Sequence, residues 1–132
     1  MDKKRSGFTL MEVVIVLAVI AILGAIIIPN FLGYTDRARL RGDIQSARVI
    51  RNAMDLYRVE VGSDVGAAYA SEDALIKHLV DSNYLTGIPE LQTEDAKWSY
   101  DKTSMKMKID ISACPEGVKK VKLSEIESEF IN

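Results

Sequence analysis

The chain has 132 residues, the length of one ordinary domain, and 17 Lys and Arg against 19 Asp and Glu leave a formal charge of −2. That balance excludes the strongly basic surface of a dedicated nucleic-acid binder. A single cysteine (Cys114) excludes an intramolecular disulfide and a multi-cysteine metal site, and a single histidine (His78) excludes a His-rich metal centre. The charge is unevenly placed. Residues 31–60 carry six Arg against four acids, whereas residues 61–132 carry eight Lys against thirteen acids. Three compositional zones in so short a chain point to three environments.

Residues 8–28 are apolar except for Thr9 and Glu12, and residues 13–28 contain no polar side chain at all. As a helix, residues 8–28 would extend about 31 Å at ~1.5 Å per residue, which matches a bilayer hydrocarbon core of ~30 Å. The basic cluster Lys3-Lys4-Arg5 precedes the run, so the N-terminus is expected to stay cytoplasmic. A buried core helix is disfavoured, because about 100 remaining residues could hardly surround a rod that is apolar on every side. For a secretory signal peptide the run is too long, and Pro29-Asn30-Phe31-Leu32 follows it rather than a small-x-small site. The processing point is therefore expected before the run, at Gly7–Phe8.

Glu12 is the anomaly in this segment. A carboxylate carried to mid-bilayer costs ~2.5–3.5 kcal/mol. Either it snorkels or favours its helix N-terminus, or it waits for a positive partner. Cleavage after Gly7 would supply one, the free amine of Phe8, in the same chain or in a staggered neighbour.

The stretch Lys4-Arg5-Ser6-Gly7 followed by Phe8-Thr9-Leu10-Met11-Glu12-Val13-Val14-Ile15-Val16 resembles the prepilin signature of type IV pilins and type II secretion pseudopilins, and the likeness covers residues 4–31, including Pro29 and Phe31. The resemblance implies cleavage after Gly7 by a membrane prepilin peptidase, N-methylation of Phe8, and an assembly role for the Glu12 carboxylate. It also implies that the helix loosens around Gly24 and Pro29 in the filament. Met11 stands where Ile or Val is commoner in the family, and Ala21 where many members have Gly. Family members are non-enzymatic and need no cofactor. They form a homo-polymer, lifted out of membrane lipid by a platform protein and a cytoplasmic ATPase. The expected location is a single pass through the bacterial cytoplasmic membrane, then a cell-surface or periplasmic filament.

Leu40, Ile44, Ala47, Ile50, Met54, Tyr57 and Val61 follow at helical spacing and predict an amphipathic helix, with Arg37, Arg41, Arg48, Arg51, Asp55 and Arg58 mainly off the apolar stripe. Ala18, Ala21 and Ala25 could let membrane helices approach closely. Residues 62–68 read as a loop. Ser71 reads as the N-cap of a short helix through Asp81 that is lined by Leu75, Leu79 and Val80. Trp98 and Tyr100 alternate with polar residues, as do Met105, Met107, Ile109 and Ile111, which predicts two strands joined by a turn at residues 101–104. Pro115-Glu116-Gly117 breaks the chain, residues 118–123 offer a third strand, and Ser124 with Glu127 fits a capping box.

The expected fold is α+β: a long N-terminal helix, half membrane and half amphipathic, packed on a small antiparallel sheet. The expected divisions are a leader (1–7), a membrane or filament-core helix (8–29), an amphipathic helix (30–61) and a globular head (62–132). No catalytic constellation or metal-ligand spacing is present. The acids Glu90, Glu94, Asp95 and Asp101 fit no EF-hand pattern and read as solvated surface. The expected function is that of a structural subunit of a type IV pilus-like filament. The alternatives are a pseudopilin of a type II secretion system and, in another class, a single-pass membrane sensor or binding module.

Overall fold

The computed structural model describes residues 7–132. The basic residues Lys3, Lys4 and Arg5, and the rest of the expected leader as far as Ser6, lie outside them. The elements in order are helix α1 (Leu10–Val61), α2 (Val65–Ala68), α3 (Glu72–Asp81), strands β1 (Lys97–Asp101) and β2 (Lys106–Asp110), α4 (Glu116–Lys119) and α5 (Glu125–Ser128). The chain divides into two units, Met1–Tyr34 and Thr35–Asn132. This is an α+β chain with a small two-stranded antiparallel sheet, as the sequence predicts.

In the first unit, the stretch Leu10–Ile28 is apolar and unburied. Its 19 residues are long enough to cross a membrane. The backbone is helical through Gly24 and Pro29.

In the second unit, the predicted stripe is the core as far as Met54; Tyr57 is only partly buried, and Val61, expected on the stripe, is exposed at the end of α1. Leu40, Ile44, Ala47, Ile50 and Met54 are buried on one face of α1. Fully burying each large aliphatic side chain contributes about 1.5–3 kcal/mol, which is what holds a marginal helix in place. Ile50 and Met54 join Val65, Leu75, Ile76, Leu79, Leu85 and Met107 in one cluster. Leu40, Ile44 and Ala47 join Ile109, Cys114, Val118 and Phe130 in another, and Trp98 packs against both. Gly62 ends α1 in the left-handed region (φ 75°), its N–H bonded to the Arg58 carbonyl at 2.9 Å.

Ser71 caps α3, its Oγ accepting from Ala74 N–H at 3.3 Å. Leu75, Ile76 and Leu79 are the buried residues of this helix; Val80 is only partly buried. The strands pair with Trp98 opposite Ile109 and Tyr100 opposite Met107, and Met107 and Ile109 are fully buried. The turn between them is built by Asp101, whose Oδ1 accepts from Thr103 and Ser104 N–H at 2.9 and 3.3 Å.

Three expectations are corrected. The loop at residues 62–68 contains the one-turn helix α2, because Val65 enters the core. Met105 is not in β2: it lies at positive φ (54°) and is exposed, closing the turn instead. Residues 118–123 form no strand. Pro115 does not simply break the chain but opens α4, its carbonyl accepting from Val118 N–H at 3.0 Å. The edge of β2 that a third strand would need is taken by the C-terminus. Ile109 N–H donates to the Phe130 carbonyl at 2.7 Å, and Asn132 N–H donates to the Ile109 carbonyl at 2.9 Å. Ser124 and Glu127 form the predicted capping box of α5.

Candidate assembly site

The start of α1 is built by two reciprocal hydrogen bonds. Thr9 N–H donates to Glu12 Oε2 at 2.8 Å, and Glu12 N–H donates to Thr9 Oγ1 at 3.3 Å. Thr9 is thus the N-cap and Glu12 the third helical residue of a capping box, which satisfies two amide donors the helix would otherwise leave open. The first helical bond runs from Val13 N–H to the Thr9 carbonyl at 3.3 Å. Phe8 therefore lies outside α1, and the Glu12 carboxylate turns to Thr9 rather than to the residue four positions before it. The sequence carries the T-x-x-E signature of this box, the same signal that identified Ser124 and Glu127.

Gly7 and Phe8 precede the helix, and Phe8 is 90% exposed. A Cβ at Gly7 would meet nothing within 4 Å. Nothing in the folded chain requires glycine there, so any requirement for it comes from outside the fold. The same holds for Gly24, where a Cβ also meets open space. A carboxylate with one oxygen in the cap, an exposed Phe8 and an unburied apolar helix form a surface that the chain itself leaves unfinished.

The head holds two polar anchors that the helical pattern did not reveal. Asp43 is 1% exposed and accepts from Gln92 and Thr93 N–H, both at 2.8 Å, tying the loop before β1 to α1. Arg51, expected off the apolar stripe, is buried among C-terminal residues. Arg41 bridges Glu127 at 3.0 Å. Part of the helix's basic face thus holds this chain's own C-terminus rather than solvent. Asp55 pairs with Arg58 at 3.3 Å as its spacing predicts, and Arg58 also reaches Asp64 at 3.3 Å. Asp64 in turn accepts from Tyr100 Oη at 2.6 Å. Burial and that carboxylate both push the Tyr100 phenol well above its usual range. Gly66 is required here, because a Cβ would collide with the Tyr100 ring.

His78 sits among aromatic rings, edge-on to Tyr57 at 5.5 Å and tilted against Tyr69 at 4.9 Å. Cys114 is a buried free thiol, and burial pushes its pKa up. Among the described residues no group of three His, Cys, Asp or Glu is placed to hold a metal ion. Of the four acids in the loop region, Asp101 is committed to its turn and to Lys108 at 3.1 Å.

Residues 2–28 match the family model described as the prokaryotic N-terminal methylation motif. The chain is 29% identical over 111 residues to the type II secretion system core protein G of Pseudomonas aeruginosa, covering 82% of this chain and 68% of that protein. The motif and this relative support a type IV pilin or pseudopilin family for the chain. The core protein G of Vibrio cholerae is 30% identical over 78 residues, 59% of this chain and 50% of that protein. The prepilin peptidase-dependent protein D of Escherichia coli is 44% identical over 62 residues, 47% of this chain and 42% of that protein. The chain spans about half the length of the curated relatives it matches, as with 43% of the Aeromonas hydrophila core protein G. No solved structure matches. Pilins and pseudopilins are structural subunits, and the apolar start of α1 fits membrane anchoring.

Proposed function

We propose that this chain is a structural subunit of a type IV pilus-like filament. In this reading, residues 1–7 are a leader removed by prepilin peptidase, Phe8 becomes the methylated N-terminus, and Glu12 is the assembly carboxylate. Residues 8–29 lie in lipid before assembly and in the filament core afterwards. Residues 30–61 are the amphipathic half of the helix, and residues 62–132 are the head. A platform protein and a cytoplasmic ATPase lift the subunit from the bilayer. The observation that carries the reading is the unburied stretch Leu10–Ile28, which opens on a carboxylate-closed cap next to an exposed Gly7–Phe8.

The mechanism is an exchange of surroundings. The apolar helix leaves lipid for a bundle of identical helices, a step nearly neutral in hydrophobic energy and therefore open to being driven and reversed. Glu12 supplies direction: its second oxygen takes the amine of a neighbouring copy, and a misplaced copy leaves that charge unpaired in an apolar bundle. Loosening around Gly24 and Pro29 would lengthen the subunit within the filament.

The names of the relatives favour a second reading within the same family, a pseudopilin that builds a short filament for type II secretion. Deletion of the gene separates the two: loss of surface filaments supports a pilus, and loss of exoprotein secretion supports a pseudopilin. The filament reading itself is tested with Glu12→Ala, which should insert in the membrane and fail to polymerise. Normal polymer from that variant would contradict it.

A further inference from the structure

The two edges of the sheet end differently. On β2, Ile109 turns both its N–H and its carbonyl outward, to Phe130 and Asn132. Register then fixes the other edge. Trp98 stands opposite Ile109, and two opposed residues of an antiparallel pair either exchange both bonds with each other or both point away. Ile109 points away from β1, so Trp98 N–H and C=O point away from β2, along the free edge of β1. The same parity sends Tyr100 N–H outward, where Glu72 Oε1 accepts it at 3.2 Å. Trp98 has no such cover: among the described residues, no group bonds to its outward N–H or carbonyl. Unpaired edge groups of this kind are a template for another strand. The edge opens on a groove of about 690 Å³. Its apolar lining includes Ile88, Leu91 and Trp98, and Ile88 is 60% exposed. Its charged lining is Glu72, Asp73 and Glu90 against Lys97, and Asp73 and Glu90 are exposed.

We propose that the free edge of β1 takes an extended, basic segment of another protein, added to the sheet as a third strand. The residue that exchanges bonds with Trp98 sends its side chain to the same face as Trp98, the core side, so an apolar residue suits it. The residues beside it are Lys or Arg, matched in charge to Asp73 and Glu90. Main-chain bonds supply the affinity and these side chains the choice of partner. The occupant is a different chain, because the segment of this one whose pattern suits a third strand, residues 118–123, is held on its own core by Val118, Val121 and Leu123. A second copy is held in the same way. The site lies wholly in the head, and it holds whether the chain serves a pilus or a secretion filament.

The test uses the full-length chain in non-ionic detergent and a blocked pentapeptide of alternating lysine and valine. Trp98 is the only tryptophan in the chain, so its fluorescence reports on this edge directly. The peptide should give a saturable change, half complete at or below about 1 mM. At ten times that concentration, hydrogen exchange at Trp98 N–H should slow about tenfold, and exchange at Ser99, whose N–H faces β2, should not change. The same peptide N-methylated at its valines keeps its charge and loses those donors, and it should bind about tenfold more weakly. Glu90→Lys, an exposed loop substitution, should weaken binding about fivefold and leave the thermal midpoint unchanged. Neither a saturable change nor slowed exchange up to about 5 mM peptide would overturn the proposal. Equal binding of the N-methylated peptide would reduce the contact to charge and overturn the added strand. Equal binding of a glutamate–valine peptide, or binding untouched by Glu90→Lys, would overturn the basic partner and its place in this groove. Slow exchange at Trp98 N–H in assembled chain without peptide would mean that a neighbouring copy fills the edge, and would also overturn it.

Discussion

The Arg51 guanidinium lies 3.6 Å from the centre of the Phe130 ring, and from that position it donates to two carbonyls, Met107 and Glu129, each at 2.8 Å. One side chain thereby joins α1, β2 and the C-terminal residues. Arg48 approaches the same ring at 5.6 Å. In a chain with one cysteine, this contact does the fastening that a disulfide cannot. Burial lowers the Arg51 pKa, opposed by Glu129 and Asp55. Arg51→Ala should destabilise the head by about 2–4 kcal/mol, because it uncovers an aromatic face and leaves two carbonyls without their donor. Phe130→Ala should cost a comparable 3–5 kcal/mol, roughly the usual range for a buried Phe. Denaturant titration of the purified chain in detergent checks both. A midpoint unchanged by either variant would show that the C-terminus is held by other means.

Asp43 gives the second prediction. Its two oxygens satisfy two amides of the loop before β1. Asp43→Ala should cost about 2–4 kcal/mol, and Asp43→Asn somewhat less, since an amide keeps one acceptor but turns an N–H toward the other donor. Hydrogen exchange at Gln92 and Thr93 should accelerate in both variants by more than exchange in β2 does.

Acid should loosen the head in a defined window. Burial would raise the pKa of Asp64, but bonds from Tyr100, Arg58 and Gly66 outweigh it and hold the carboxyl below its usual value. The Ser104 hydroxyl, then Lys108 and the Thr103 and Ser104 amides, hold Asp101 well below. Ser112 lowers Asp110, and the Ser124 amide, with the Ser124 hydroxyl and Arg41, lowers Glu127 against the opposing effect of burial. A carboxyl whose folded pKa is depressed stabilises the fold above its unfolded pKa of about 4, and that stability is lost as pH falls through the folded value. Thermal midpoints should be flat from about pH 7 to 5 and fall progressively below about pH 4. Asp101→Asn should flatten that acid limb.

The cap at Thr9 allows the two roles of Glu12 to be separated. Thr9→Val removes only the hydroxyl acceptor, at a cost of about 1 kcal/mol to the helix start. Glu12→Gln retains an oxygen for Thr9 N–H but removes the charge. If the charge directs assembly, Glu12→Gln should fail to polymerise nearly as completely as Glu12→Ala, while Thr9→Val should be much milder. Polymer yield in the three variants, at matched membrane levels, decides between the roles. Equal loss in Thr9→Val and Glu12→Gln would make the carboxylate a cap and little else.

The elements with a clean period were legible from residues alone. The stripe Leu40, Ile44, Ala47, Ile50 and Met54 is buried as read, and the Met107–Ile109 alternation is a half-buried strand. What escaped were polar residues whose partners are distant in sequence. Asp43 meets Gln92 and Thr93, and Arg51 meets Met107 and Glu129, pairings that no local pattern encodes. The false third strand at residues 118–123 has a similar cause. Its apolar residues were real, since Val118 is core, but the edge of β2 was already filled by residues at the C-terminus. Glu12 stands out from its apolar surroundings by charge, but its bond to Thr9 is a local capping signal that the unpartnered charge masks.

The most direct test of the central claim is mass spectrometry of the N-terminus of the protein recovered from the membrane and from any filament fraction of the cells that make it. The account predicts a chain that begins at Phe8 and carries a methyl group on its terminal nitrogen. A functional protein that retains Gly7 and the residues before it would contradict the account.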